Sequence, residues 1–284
     1  MLAIVGGLGA ALVFATVTLC NSRSSRMIGP TQLLAWVMLI GLAITAPLAF
    51  GRGIPDGLDA EAGAWMAVAG VGNVAGLLFA YSALRVGKVG VVAPLVSTQG
   101  AIAALIAIIA GEHLGADVAV LLAIIAIGIS LAAIAPSGEP TSGAPRADRR
   151  AVAYAVAAAV AIGWSLYAIG RVSVALPVVW ALLPSRAIGV AAVTVPLVLK
   201  SGLRMTREAL PLVLVAGVFE VAGFALFAFG SRHGIAVSAV LSSQFAAIAA
   251  IAAYVLFRER LSPVQLAGVV VIVAGVGTLS GIQA

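Results

Sequence analysis

The chain has 284 residues, of which 63% are hydrophobic and only 9% are charged, and its formal net charge is +6 at pH 7. A soluble globular domain carries about 25% charged residues, so this composition excludes a soluble fold and indicates an integral membrane protein. The basic residues stand singly between apolar runs and do not form the patch with interleaved aromatics that is typical of nucleic-acid binding. We therefore expect no nucleic-acid partner.

Ten apolar stretches approach the length of about 20 residues that a membrane-spanning helix needs. The first five cover residues 2–20, 30–50, 62–84, 89–110 and 115–135, and the second five cover residues 151–169, 177–199, 209–230, 234–257 and 262–282. Residues 136–150, which are rich in Pro, Gly, Ser and charge, separate the two groups and indicate a linker. The sequence therefore predicts an all-α membrane protein with ten transmembrane helices.

The two groups of five spans repeat one another. Residues 68–130 align without a gap to residues 215–277 at a single offset. Because five is odd, the second group enters the membrane from the opposite side, which makes an inverted-topology repeat around a central cavity. In secondary transporters built this way, the binding site lies near the midplane at the repeat interface. The predicted domains are a first repeat at 1–135, a linker at 136–150 and a second repeat at 151–284.

Positive charge is distributed unequally between the two sides of the predicted bundle. The loops after spans 1, 3, 5, 7 and 9 carry twelve Lys and Arg residues, and we name this side the basic face. The other side, the opposite face, carries three: Arg52, Arg171 and Arg232. The positive-inside rule places the basic face in the cytoplasm and both ends of the chain outside.

Two charged residues, Glu220 and Arg186, lie well inside apolar spans. A carboxylate in hydrocarbon costs about 2.5–3.5 kcal/mol on insertion scales, so such a residue is a functional-site candidate by default. Glu220 is near the bilayer centre of span 8, where it can serve as a proton or cation site. The alternative is a structural ion pair with Arg186, which lies at a compatible depth in span 7. The two roles combine if the pair opens to accept an ionic substrate.

Further polar and aromatic residues are candidates for substrate binding. Asn73 stands where Glu220 stands in the other repeat, and either substrate contact or hydrogen bonding between helices explains it. Arg186 has a planar fork suited to a carboxylate or phosphate, or a purely structural role. The aromatic candidates are Trp164, Tyr81 and Tyr167, whose rings attract cations but also collect at membrane interfaces. The amide candidates are Gln99 and Gln244, which are also explained by hydrogen bonding between helices.

Several motifs carry a resemblance to a known family. They are Tyr-Ser-Ala-Leu-Arg-Val-Gly at 81–87, Val-Val-Ala-Pro at 91–94, and Gly-Glu-His-Leu at 111–114 with its counterpart Arg-Glu-Arg-Leu-Ser-Pro at 258–263. With them the chain resembles the drug/metabolite transporter superfamily, specifically its ten-span EamA-type exporters. The resemblance implies two tandem five-span units and transport of a small molecule. Such relatives move amino acids, nucleotide-sugars, sugar phosphates, cations and drugs, and they usually keep their termini inside, opposite to the charge count.

Two positions extend the resemblance and two depart from it. Trp164 and Arg186 stand where such units often have Trp and Arg. Phe14 and Trp36, at the corresponding positions of the first half, depart from that pattern. The resemblance therefore does not imply that the two halves bind a substrate symmetrically.

These observations predict a multi-pass protein of the inner (plasma) membrane that acts as a secondary-active transporter. We expect it to export a small polar, amino-acid-like metabolite by alternating access. Its expected partners are a proton or a counter-substrate and membrane lipid, and its expected state is a monomer or homodimer. The alternatives are a transporter of cationic, quaternary ammonium or drug-like compounds, a flippase for a lipid-linked substrate, and a non-transporting membrane scaffold. The sequence has no Ser/His/Asp set, phosphate-cradling loop or Walker motif, so we expect neither an enzyme nor a cofactor. Cys20 has no metal-ligand spacing with either histidine, so we expect no metal.

Overall fold

A computed structural model describes residues 1–87, 89–113, 115–132, 145–200 and 202–249, together with residues 264, 267, 268, 270, 271, 274, 275 and 278. Within these residues the regular elements are helices. In chain order they are α1 (Leu2–Ile28), α2 (Pro30–Phe50), α3 (Ala60–Val86), α4 (Val89–Ser97), α5 (Gln99–Ile109), α6 (Ala116–Ala132), α7 (Pro145–Ala175), α8 (Val178–Gly189), α9 (Val195–Lys200), α10 (Leu210–Ser231) and α11 (Ile235–Ser242). A π-helical segment, Val190–Thr194, joins α8 to α9.

Six helical stretches of the described residues are long and apolar enough to cross a membrane. They are Leu2–Ile28, Pro30–Phe50, Ala60–Val86, Arg149–Ala175, Val178–Lys200 and Leu210–Ser231, and shorter apolar helices lie at Leu95–Ile109, Ala116–Gly128 and Ile235–Ala249. Most of the last predicted span, 262–282, lies outside the described residues. The part of the membrane protein that the structure describes is therefore all-helical, and the count of ten spans stays a prediction.

The predicted fourth and ninth spans are each interrupted near the middle, although the sequence pattern predicted continuous helices. Thr98 separates α4 from α5, and a turn at Ser243–Gln244 follows α11. At both breaks a hydroxyl bonds to its own helix: Thr98 Oγ1 donates to the carbonyl of Leu95 at 2.7 Å, and Ser243 Oγ donates to that of Val240 at 2.7 Å. Such local bonds compete with the helical amides, which explains why the helix stops there.

The described part of the predicted linker differs from a simple loop. The helix α7 begins at Pro145, so residues 145–150 are helical, while residues 133–144 lie outside the described residues. The chain therefore enters the second half through a helix that starts before the apolar run.

Helices from the two halves pack in matching pairs. The helix α3 packs along α7 just as α10 packs along α1, and α3 contacts α8 as α10 contacts α2. In the same way α5 contacts α7 as α11 contacts α1, while α2 meets α8 and α5 meets α11 across the middle. The pattern of pairing is therefore unchanged when the two halves are exchanged.

Small residues allow α3 to lie close to α7. A Cβ atom added to Gly72 would lie 2.9 Å from the backbone carbonyl oxygen of Ala161, so a larger residue would separate the two helices. This close approach buries the inner side of α3, where Asn73 is 0% exposed and Tyr81 is 2% exposed. It thereby places both polar side chains in the centre of the bundle.

Candidate functional site

The two charged residues inside apolar spans form one buried ion pair. Arg186 Nη1 on α8 lies 3.4 Å from Glu220 Oε1 on α10, and each side chain is 1% exposed. The hydroxyl of Tyr81, on α3, donates to the other carboxylate oxygen, Oε2, at 2.8 Å. Three helices therefore meet at this buried polar cluster.

Arg186 is only partly satisfied by this cluster. Its Nη1 also lies 3.7 Å from Met38 Sδ, and its guanidinium carbon lies 5.6 Å from the ring centre of Phe224. Its Nε and Nη2 have no hydrogen-bond partner among the described residues. These two nitrogens form one edge of the planar guanidinium, the geometry that holds a carboxylate through two parallel bonds. The site thus has an unused set of donors beside a buried carboxylate.

A cavity of about 70 Å³, which we name the central cavity, adjoins the carboxylate of Glu220. Its wall also includes Asn21, Leu84 and Val92, which lie toward the ends of α1, α3 and α4 on the basic face. The cavity therefore extends from the ion pair toward that face. Its aromatic residues are Phe14, Tyr81, Phe224 and Phe245, and its other polar residues are Thr18, Asn21, Gln99 and Glu220.

Asn21 is a site residue that the sequence reasoning missed, because span 1 was ended at Cys20. The structure continues α1 to Ile28, so Asn21 lies within the helix and is only 2% exposed. Its Oδ1 has no hydrogen-bond partner among the described residues. The available signal in the sequence was that this amide directly follows the apolar run 2–20, so a helix only one residue longer would have included it.

Three predicted amides are buried in the same interior. Among the described residues, Asn73 has no hydrogen-bond partner for either amide atom. Gln99 has none for its Oε1, and Gln244 has none for its Nε2. A buried polar group without a partner costs about 1–3 kcal/mol, so the interior is one in which water or a polar ligand is expected. Gln99 and Gln244 also stand at the two helix breaks, and interrupted helices near the midplane are typical of transporter binding sites.

The structure separates the predicted aromatic residues. Tyr81 belongs to the central cluster, whereas Tyr167 packs edge-on against Trp65 with ring centres 5.5 Å apart. Trp164 is 46% exposed on the outside of α7 and lines neither of the cavities of the described residues. Of the predicted site residues, Glu220, Arg186, Tyr81 and Gln99 therefore come together at or beside the central cavity. Substrate binding by any of them stays a prediction.

A second cavity, of about 710 Å³, lies at the opposite face, and we name it the vestibule. Its wall includes Trp65, Tyr167 and Arg171, and Arg171 Nη2 donates to Glu61 Oε1 at 3.2 Å while its guanidinium lies 6.0 Å from the centre of the Trp65 ring. Along α7, Ile162 lines the central cavity and Tyr167 lines the vestibule. Five residues of helix rise about 7.5 Å, so a thin layer of side chains separates the two cavities.

Glu112 joins the two halves of the protein beside the vestibule. Its two carboxylate oxygens lie 3.2 and 3.3 Å from the backbone nitrogen of Ala236, which donates to them from the first turn of α11. Gly111, with a φ of 98°, ends α5 and turns the chain so that Glu112 reaches this turn. Burial raises the pKa of Glu112, and the backbone donors of Ala236 and Ile235 offset part of that rise.

We expect Glu112→Gln to remove part of the pH dependence of stability. Because the pKa of Glu112 is raised in the folded protein, ionisation of this side chain opposes folding, and wild-type stability falls as pH rises above the ordinary glutamate value of about 4.3. Gln does not titrate. The Tm of wild type minus that of the variant, measured in detergent, should therefore decrease as the pH is raised.

The matched control is Glu61→Gln, which neutralises an exposed carboxylate in the same vestibule. Its Tm should follow the wild-type pH profile more closely. A difference between wild type and Glu112→Gln that stays constant or grows with pH would contradict this prediction.

Comparisons with known proteins give three findings. Residues 1–134 match the model of a family described as the EamA-like transporter family. One similar solved structure, described only as the crystal structure of a protein, covers 99% of this chain and 98% of its own chain with a TM-score of 0.73 and 20% sequence identity, a likeness that shows the fold alone. No curated protein matches the chain.

Proposed function

We propose that this chain, whose residues 1–134 match the EamA-like transporter family, is a secondary-active transporter of a small, amino-acid-like metabolite. It exports this substrate across the inner membrane by alternating access between two inverted five-span halves. The matching pairs of helices in the two halves support this arrangement. Transport needs two faces to open in turn, and halves that pack in the same way suit two such states.

The observation that carries the proposal is the Glu220–Arg186 pair beside the central cavity. A zwitterion brings one charge of each sign, so its ammonium group replaces Arg186 at the carboxylate while its carboxylate occupies the free Nε and Nη2 edge of Arg186. Binding then exchanges one buried ion pair for two and adds no net charge to the interior. A purely cationic substrate offers nothing to the free edge of Arg186, which favours the amino-acid-like class.

The two cavities support a route through the protein. The substrate enters the central cavity from the basic face, which the charge count places in the cytoplasm. It then passes the thin layer between Ile162 and Tyr167 into the much larger vestibule. The helix breaks at Thr98 and at Ser243–Gln244 lie in the spans that border this route and let those spans change shape.

The proposal is tested by counterflow in proteoliposomes. Vesicles that contain the purified protein are loaded with a mixture of unlabelled amino acids, and the entry of each labelled amino acid is measured. We expect at least one amino acid to exchange, and Asp56→Asn, which neutralises an exposed loop carboxylate outside both cavities, to exchange it as fast as wild type. Exchange of quaternary ammonium compounds with none of amino acids, or movement of labelled lipid alone, would overturn the substrate class.

A further inference from the structure

One side-chain atom of Asn21, a residue of the wall of the central cavity, has no hydrogen-bond partner among the described residues. A phenol has one proton to donate, and the Tyr81 hydroxyl donates it to Glu220 Oε2 at 2.8 Å. The Tyr81 hydroxyl therefore has no proton left to donate to the side-chain oxygen of Asn21. The Asn21 Oδ1 remains as the atom without a partner among the described residues.

Two further acceptors line the same cavity. Gln99, at the start of α5, is 5% exposed and its Oε1 has no partner among the described residues. The carboxylate of Glu220 completes the set. The other hydroxyl of the wall, that of Thr18, is engaged, because its Oγ1 donates to the Phe14 carbonyl at 2.8 Å. Within the described part of the chain, no Lys or Arg belongs to the wall of this cavity.

We propose that the central cavity is a site for a primary ammonium group, bound by Asn21 Oδ1, Gln99 Oε1 and the Glu220 carboxylate. A group R–NH₃⁺ has three N–H donors, which equals the number of acceptor groups, whereas each N-methyl group removes one donor. The aromatic rings of the wall add attraction for a cation. This inference rests on the proposed function and deepens it, because it assigns the amine end of the substrate to this cavity and distinguishes primary amines from quaternary ones.

The size of the cavity agrees with a small group. A volume of about 70 Å³ accommodates an ammonium head and a few further atoms. Arg186 lies outside the wall, where its Nη1 is 3.4 Å from Glu220 Oε1. The same acceptors also suit an alkali-metal cation, since oxygen atoms are the ligands of such ions. The experiment therefore has to separate N–H donation from positive charge alone.

A methylation series provides that separation. Methylammonium, dimethylammonium, trimethylammonium and tetramethylammonium all carry one positive charge but have three, two, one and no N–H donors. Binding to the purified wild-type protein in detergent is measured by calorimetry and by thermal shift, with sodium chloride as a further titrant. We expect the affinity to fall about tenfold with each methyl group, since each lost bond joins a charged donor to a buried acceptor.

Variants of Gln99 assign the effect to the cavity. Gln99→Met removes one acceptor at similar volume, so it should weaken the binding of methylammonium about tenfold. It should also reduce the difference in affinity between methylammonium and dimethylammonium. Gln99→Glu restores an acceptor and should restore the binding. Thr45→Val removes a buried hydroxyl of α2 outside the cavity, so the affinities for the four ammonium ions should equal those of wild type.

Three outcomes would overturn the inference. The first is equal affinity for all four ammonium ions, and the second is tightest binding of tetramethylammonium. The third is a thermal shift with sodium chloride that exceeds the shift with methylammonium at equal concentration. Because binding is read in detergent, the result is independent of transport. If the protein exchanges amino acids but binds the four ammonium ions with equal affinity, the proposed function stands and this inference fails. If it prefers methylammonium but exchanges no amino acid, this inference stands and the proposed function fails.

Discussion

Glu220→Gln is expected to lower the free energy of unfolding by about 3–5 kcal/mol, because it leaves the buried guanidinium of Arg186 without a counter-ion. Arg186→Gln is expected to cost less. A guanidinium stays charged in proteins, whereas the carboxyl group left behind by Arg186→Gln can take up a proton and become neutral. The double variant carries no buried charge at this site and is expected to regain most of the stability, since the main cost of each single variant is the buried charge that it leaves without a partner.

The measurement is a double-mutant cycle on unfolding in detergent. The same double variant then serves in the counterflow assay, where it should be folded yet should not exchange amino acids, because both charged partners of the substrate are gone. Equal losses for the two single variants, with additive behaviour in the double variant, would contradict a coupled pair. Full exchange by the folded double variant would contradict the proposed mechanism of transport.

Arg186→Lys is expected to weaken amino-acid binding about 10- to 100-fold while leaving methylammonium binding within about twofold. Lys keeps the positive charge beside Glu220, so the ion pair and the fold persist. It lacks the planar edge formed by Nε and Nη2, however, and a carboxylate loses its two parallel hydrogen bonds. Binding of a neutral amino acid and of methylammonium is compared by calorimetry in detergent.

The matched control is Arg52→Lys, which makes the same change in an exposed loop on the opposite face. It should not alter either affinity. If Arg186→Lys weakens both ligands equally, Arg186 acts only by holding Glu220, and if it weakens neither, the carboxylate of the substrate is bound elsewhere. Either result would refute the proposal that the free edge of Arg186 binds the substrate carboxylate.

The surroundings of Arg186 explain how a large charged side chain fits inside α8. Gly41 on α2 provides the space, because a Cβ atom there would lie 2.7 Å from Arg186 Cδ. Pro184 precedes the arginine within the helix, and the π-helical segment Val190–Thr194 follows it. Both features interrupt regular helical bonding, and π-helical turns are frequent at functional sites. The sequence pattern predicted a continuous helix over 177–199 and did not reveal this irregularity.

The pairing of Glu220 with Arg186 could be predicted because the cost of burying charge was the deciding term. Glu220 and Arg186 were identified as candidates because hydrocarbon solvates neither, and compatible depths in neighbouring spans predicted that the two could pair. The structure brings them to 3.4 Å. Tyr81 was predicted only as a general aromatic candidate, and its bond to Glu220 became visible only in the packed helices.

Prediction was weakest for residues whose role depends on which side of a helix they occupy. Trp164 is 46% exposed, while its neighbour Ser165 is fully buried and donates to the carbonyl of Ala69 at 2.7 Å. In a soluble protein the polar side of a helix marks the surface. In a membrane protein the lipid-facing and inward-facing sides are equally apolar, so the sequence pattern does not tell them apart.

By itself, the sequence determined that this chain lies in a membrane and that charges at positions 186 and 220 require partners, because few apolar environments tolerate an unpaired charge. The repeat of its two halves stays a prediction. The tertiary structure alone decided that Asn21, Tyr81 and Gln99 join Glu220 at one cavity while Trp164 does not. That choice depends on the rotation of each helix about its own axis. The rotation is set by close packing between neighbouring helices, which a uniformly apolar stretch of sequence does not encode.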